Sequence, residues 1–220
     1  MAQSKGKKKL TCGDCVTTSC STRKTAFPGF CLTEAEDDAV IEEVNRIYRE
    51  DPLVSKITVA AAEIEGVYYG RLTRVEEVAA FAKRIDAKKI GIATCVGLIN
   101  ETKSFIKFLD AQGISSYTVA CKVGAVDKTE IGIPAEHKIK KGEHESACNP
   151  VLQARILARE KTDLNVIVGL CVGHDSMFIK YSEAPTTYLV VKDRVLAHNP
   201  VGALNCINTY YKKLAADLEL

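Results

Sequence analysis

The chain carries helical periodicity in its first third and short, mostly apolar runs in the rest. Val40, Ile41, Val44, Ile47 and Tyr48 recur three and four residues apart, which puts them on one stripe of a helix. Thr33-Glu34-Ala35-Glu36 has the capping-box pattern that would open this helix, and Asp51-Pro52 breaks it. A second helical run, Leu53 to Glu65, ends at Gly66, and Gly70 closes the loop after it. Thr73 and Glu76 form another capping box, ahead of a helix through Val75, Val78, Phe81, Ala82 and Ile85.

From Lys89 the pattern changes to strands separated by helices. KIGIAT (Lys89 to Thr94) reads as a short buried strand, and SYTVA (Ser116 to Ala120), LNVIVGL (Leu164 to Leu170) and TYLVV (Thr187 to Val191) as three further strands. Helices are expected at Glu101 to Gln112, Pro150 to Arg159 and Ser176 to Tyr181. Lys192-Asp193-Arg194 reads as a hairpin turn into a short strand, Val195 to Ala197, and Pro200 to Leu214 as a closing helix. This alternation predicts an α/β fold, a Rossmann-like and mainly parallel sheet of four to five strands with helices on both faces. Residues 33–220 form that domain, with 33–87 as a helical lead-in. Residues 1–32 stand apart as a Cys-rich segment with almost no large apolar side chain, which cannot build a core of its own.

Composition narrows the function. The apolar runs, such as Ile57 to Ala62, are too short to cross a bilayer, so no membrane partner is expected. Without Lys5, Lys7, Lys8 and Lys9 the chain has 26 basic and 28 acidic residues, so its net charge of +2 belongs to the tail. That argues against a nucleic-acid partner. No apolar segment follows those lysines to serve as a signal-peptide core, so a cytoplasmic, reducing location is expected. The nine cysteines are an odd number, which excludes a framework of disulfides alone, and in a reducing compartment they point to metal ligands or catalytic thiols. Neither G-x-G-x-x-G nor G-x-x-x-x-G-K-[ST] occurs, so a dinucleotide or NTP site is not indicated.

The cysteines fall into two sets. Cys12-x2-Cys15-x4-Cys20-x10-Cys31 offers four thiolates in a segment that needs a staple, a pattern suited to a tetrahedral metal site filled by zinc or an iron–sulfur cluster. Cys95, Cys121 and Cys171 stand at the ends of three strands, each followed closely by glycine. Ligands of open parallel sheets bind at that edge. Cys148 before Asn149-Pro150 and His198 before Asn199-Pro200 occupy equivalent places, each ahead of a helix with an Asn cap. Cys95, Cys121, Cys148 and Cys171 are therefore expected to form a cofactor site, a second metal centre or a [4Fe–4S] cluster. His174, Asp175 and His198 are candidates for proton transfer. Cys206 reads as packing, and His137 and His144 as solvated. The 26 residues from Lys122 to Ala147 read as a lid over the edge.

Several strings resemble one family across nearly the whole chain. They are Cys12-x2-Cys15, Arg74-Val-Glu76-Glu77, KIGIATCVGL, ACKVGAVDKTEIGIP, ACNP, GLCVGHDS, VVKDRVLAHNP and a Tyr-rich last helix. The family comprises small cytoplasmic proteins, mostly from anaerobic bacteria and archaea, known as a domain of unknown function and often labelled metal-binding. Leu32 departs from the proline expected after the fourth cysteine. The resemblance implies a metal but no reaction. In arrangement only, the edge cysteines look like the three-cysteine [4Fe–4S] sites of anaerobic desulfidases. Metal ions and a small-molecule substrate are the expected partners, with redox or sulfur-handling chemistry. The alternatives are a non-enzymatic module that sequesters or delivers metal, and a thiol enzyme with Cys171 as nucleophile and a nearby histidine as base.

Overall fold

The structure, a computed structural model, describes residues 8–216. The chain divides into two compact units, Met1–Val59 and Ala60–Leu220.

In the first unit, single 3-10 turns form at Cys12–Asp14 and Ser19–Ser21. Two helices follow, α1 (Leu32–Ala35) and α2 (Asp38–Glu50). The helix expected to open at Thr33 is thus split. Glu36 is extended, and Asp37 accepts the Ala39 amide at 2.8 Å, which makes Asp37 the cap of the longer helix. The apolar stripe of α2, Val40 to Tyr48, stays exposed.

Helix α3 (Pro52–Tyr68) spans the boundary between the units. Asp51 starts it by accepting the Leu53 and Val54 amides, both at 2.9 Å. It runs past Gly66, which a helix interior tolerates at about 1 kcal/mol, and Gly70 then turns the chain at φ +67°. The predicted capping box of Thr73 and Glu76 is present and opens α4 (Arg74–Arg84).

The second unit is an α/β domain. It contains β1 (Lys89–Thr94), α5 (Ile99–Ala111), β2 (Ser115–Ala120), α6 (Pro150–Arg159), β3 (Leu164–Val168), α7 (His174–Tyr181), β4 (Thr186–Val190) and α8 (Pro200–Asn205). The four strands form one all-parallel sheet in the order β2-β1-β3-β4. The chain leaves β1 in one direction to reach β2, then crosses back to β3 and β4. Right-handed crossovers therefore place α5 on one face and α6 and α7 on the other. Behind the strands lie Ile90, Ile92, Leu157, Leu164, Val166 and Ile167, all out of solvent. Gly91 is required there, because a Cβ would stand 2.2 Å from the side-chain oxygen Oδ1 of the buried Asn165.

Two expectations are corrected. The fifth strand, Val195 to Ala197, does not form. The Asp193 carboxylate accepts the amides of Val195 and Leu196, both at 2.9 Å, and Ala197 and His198 take positive φ, so the segment coils where a strand would need those donors. The closing helix stops at Asn205, where the Cys206 carbonyl gathers the amides of Thr209 and Tyr211 into a turn. Arg74 reaches edge strand β4, donating to the Tyr188 carbonyl at 3.1 Å and the Thr187 hydroxyl at 2.6 Å beside the β3–β4 register shift. Among the described residues no helix is long and apolar enough to cross a membrane.

Candidate functional site

Because all four strands run parallel, their carboxyl ends share one edge, and β1 and β3 part there at the topological switch point. Cys95 and Cys121 extend the ladder by one residue. The Cys95 amide donates to the Val168 carbonyl at 3.0 Å, and the Cys121 amide to the Thr94 carbonyl at 2.8 Å. The Asn149 amide then donates to the Cys121 carbonyl at 2.7 Å, which draws Cys148 alongside. Asn149 caps α6 by accepting the Leu152 amide at 3.0 Å, and Pro150 takes the first helical position. From the fully buried Gln153 one turn into α6, the amide nitrogen donates to the carbonyls of Val119 at 2.7 Å and Thr94 at 3.3 Å. The side chain thus ties together the two strand ends that carry Cys121 and Cys95.

Three thiols meet on this floor. Cys121 Sγ lies 3.8 Å from Cys148 Sγ and also interacts with Cys95. Cys95 Sγ accepts the Gly97 amide at 3.4 Å and the Lys192 ammonium at 3.3 Å, and Cys121 Sγ accepts the Val96 amide at 3.4 Å. Beside Cys148 stand the His174 imidazole and the Lys122 ammonium. The Cys121 thiol, the Gly97 amide and Lys192 together pull the Cys95 thiol down to about 5. The Cys121 thiol, His174 and Lys122 pull Cys148 down to about 4. Cys121, flanked by both, is pushed up. A single S–H donates to one sulfur at a time, so the trio competes for protons and carries negative charge at neutral pH.

Cys171 is held separately. Its Sγ accepts the Arg194 guanidinium at 2.8 Å, and its carbonyl accepts the amides of His174 and Asp175 at the start of α7. Lys192 and Arg194 thus deliver two cations from one loop to two different thiols. His198 holds that loop, because its Nδ1 accepts the Asp193 amide at 3.1 Å while its own amide donates to the Asp193 carbonyl. Asp175 accepts the Tyr188 hydroxyl at 3.1 Å, so its partner is β4 and not the neighbouring imidazole. Of the three proton-transfer candidates, only His174 faces the thiol trio.

The expected lid is folded on itself. Asp127, 8% exposed, accepts the Lys138 ammonium, the Thr129 hydroxyl and the amides of Thr129 and Glu145. These donors hold its carboxyl far below the usual carboxylate range. His137 and His144 are exposed on this loop.

The N-terminal cysteines occupy turns. Cys12 begins the first 3-10 turn and Cys15 follows it, Cys20 lies in the second, and Cys31 precedes α1. Cys12 and Cys20 are exposed. The Thr17 hydroxyl and the amides of Thr18 and Thr17 lower the Cys15 pKa. Cys206 is half-buried after α8. Among the described residues, no three His, Cys, Asp or Glu side chains are already grouped to hold a metal ion.

Sequence reasoning located the edge thiols but missed Lys122, Lys192 and Arg194. The available signal was Lys192-Asp193-Arg194 between a strand's carboxyl end and a helix, which reads equally well as a solvated turn.

The molecule is therefore an α/β protein with a charged thiol cluster at the switch point of a parallel sheet. The chain belongs to DUF1847, a family of proteins of unknown function whose profile matches residues 31–189. It is 46% identical over 192 residues to an uncharacterized protein of Methanocaldococcus jannaschii, covering 87% of this chain and 94% of that one. A solved N-acetyl-L-ornithine transcarbamylase mutant, crystallised with carbamyl phosphate and N-succinyl-L-norvaline, matches 58% of this chain and 41% of its own length. Its TM-score is 0.32 at 17% identity, too low to bear on fold or function.

Proposed function

We propose that this protein binds a thiophilic metal ion at the sheet edge through Cys95, Cys121 and Cys148, with Cys171 or an exogenous molecule as the fourth ligand. The 3.8 Å separation of the Cys121 and Cys148 sulfurs carries the reading. Two ligands of one tetrahedral ion with metal–sulfur bonds of about 2.3 Å stand about 3.8 Å apart. In a cubane cluster each cysteine sits on its own iron, and the sulfurs lie further apart. The spacing therefore favours a single ion such as zinc over [4Fe–4S], which would require the pair to open. Three thiolates on a divalent ion leave one negative charge, and Lys192, Lys122 and Arg194 are placed to balance it.

The residues divide the work accordingly. Cys95 and Cys148, whose pKa values their neighbours draw down, would release their protons to an ion more readily than Cys121. His174 beside Cys148 can take up or release a proton at that sulfur, and His198 positions the cationic loop. A bound ion with three protein ligands supplies an open position for a small molecule. The N-terminal set Cys12, Cys15, Cys20 and Cys31 is proposed as a separate structural site that closes only around its ion.

The test is anaerobic purification followed by measurement of zinc, iron and sulfide. The expected result is a colourless protein with zinc at both sites, the edge ion disappearing in Cys121→Ser and Cys148→Ser. Iron and sulfide lost in those same variants would convert the edge site to a cluster. Metal content unchanged in both variants would sink the edge centre altogether.

A further inference from the structure

Beside Cys148 lies a cavity of about 180 Å³, walled by Val126 and Ile131 of the Lys122–Ala147 loop, Pro150 and Val151 of α6, and Met177 of α7. Cys148 and Asn149 are the polar residues of its wall, and no carboxylate or ammonium side chain lines it. Its size is informative, since an apolar cavity of roughly 150 Å³ takes up benzene. Its lining is equally so, because a charged ligand would lose hydration against these apolar side chains, and the wall itself holds no carboxylate or ammonium to pair it. Ile131 and Met177, both substantially exposed, leave apolar surface at its wall for a ligand to cover.

We infer that this cavity is the ligand pocket of the edge thiols and takes a small, uncharged, ring-sized organic molecule whose soft or polar end meets Cys148 and Asn149. The loop read from sequence as a lid supplies one wall of the pocket, and the Asp127 knot keeps that wall in place. The inference rests on the thiol centre proposed above for its chemistry, but the pocket's selectivity can be measured without any metal.

The experiment uses metal-free, reduced full-length protein and two alkylating probes, benzyl bromide and iodoacetate, with labelling at each cysteine followed by mass spectrometry. In both reactions the thiolate displaces halide and forms one S–C bond. Exposed Cys20 serves as the internal reference for the intrinsic reactivity of the probes. The benzyl-over-carboxymethyl preference at Cys148 is expected to exceed that at Cys20 by about tenfold or more, since even partial burial of a phenyl ring has that effect. Val151→Phe should return the preference to the Cys20 value by filling the pocket. Ile131→Lys, at an exposed position that leaves folding intact, should lower it by placing a charge in the wall. Equal preferences at Cys148 and Cys20, or a Cys148 preference indifferent to both substitutions, would overturn the pocket. Zinc is expected to protect Cys148 from both probes. Loss of that protection with the preference intact would remove the metal centre and leave the pocket standing.

Discussion

The two cysteine sets differ in what holds them. At the sheet edge, Cys95 follows a strand buried from Ile90 to Thr94, Cys121 follows the half-buried β2 in the same hydrogen-bonded ladder, and Cys148 is tied to Cys121 through the Asn149 amide. In the N-terminal segment, four cysteines lie in or beside turns with a single buried side chain, Ser19, between them. The edge thiols are placed by the fold, and an ion would have only to close neighbouring thiols onto itself. The N-terminal thiols are placed by local turns, so an ion would have to gather them and thereby order the segment. The first arrangement suits chemistry, because thiols held by the ladder keep their places whether or not anything is bound. The second suits a staple.

The sharpest way to break this contrast is to remove the floor of the edge. Gln153→Ala deletes both donors to the Thr94 and Val119 carbonyls and leaves a cavity under two strand ends. Global stability in urea should fall by about 2–4 kcal/mol. Protease sensitivity within the first 32 residues of the metal-free protein should stay unchanged. A loss below about 1 kcal/mol would mean that the strand ends do not depend on α6.

Proton linkage gives a second effect, confined to the edge. Cys95 and Cys148 have folded values of about 5 and 4 against an ordinary 9.0, so their contribution is present above pH 9 and is lost as pH falls toward 5 and then 4. Cys121 is shifted upward, so its contribution has the opposite sign, present below its unfolded pKa and lost as pH rises beyond it. Metal-free protein should therefore gain stability from pH 6 to about 9 and lose it above. Urea midpoints under reducing conditions measure this, and Cys95→Ser with Cys148→Ser should flatten the rising limb.

The edge was legible in the sequence for a physical reason. Apolar runs such as KIGIAT and LNVIVGL specify buried parallel strands, parallel strands share a carboxyl edge, and the cysteines follow those runs directly. What approaches the edge from outside was not legible. Lys192 and Arg194 alternate about Asp193 in a loop whose path depends on His198 and on positive φ at Ala197 and His198, features of backbone geometry with no periodic signature. His198, whose place before a helix suggests a proton carrier, has its Nδ1 lone pair engaged by the Asp193 amide, which leaves Nε2 for that role. The parallel with Cys148 holds for the backbone alone, since Asn149 makes its cap hydrogen bond and Asn199 makes none.

The smallest effect tests the other half of the comparison. Ser19 Oγ is the hub of the N-terminal segment, bonded to the Thr25 hydroxyl at 2.7 Å, the Thr17 hydroxyl at 3.0 Å and the Ala26 carbonyl at 3.1 Å. Ser19→Ala removes these bonds at a cost of about 1 kcal/mol, felt locally because no apolar core spreads the loss. Amide hydrogen exchange over residues 11–31 should therefore accelerate several-fold in metal-free Ser19→Ala while the strands keep their protection. If an ion gathers Cys12, Cys15, Cys20 and Cys31, adding zinc should restore most of that protection, because metal–thiolate bonds outweigh a hydroxyl network by many kcal/mol. Exchange that stays fast with zinc present would show the segment to be ordered by its turns alone, and the distinction between a site placed by the fold and a gathered one would collapse.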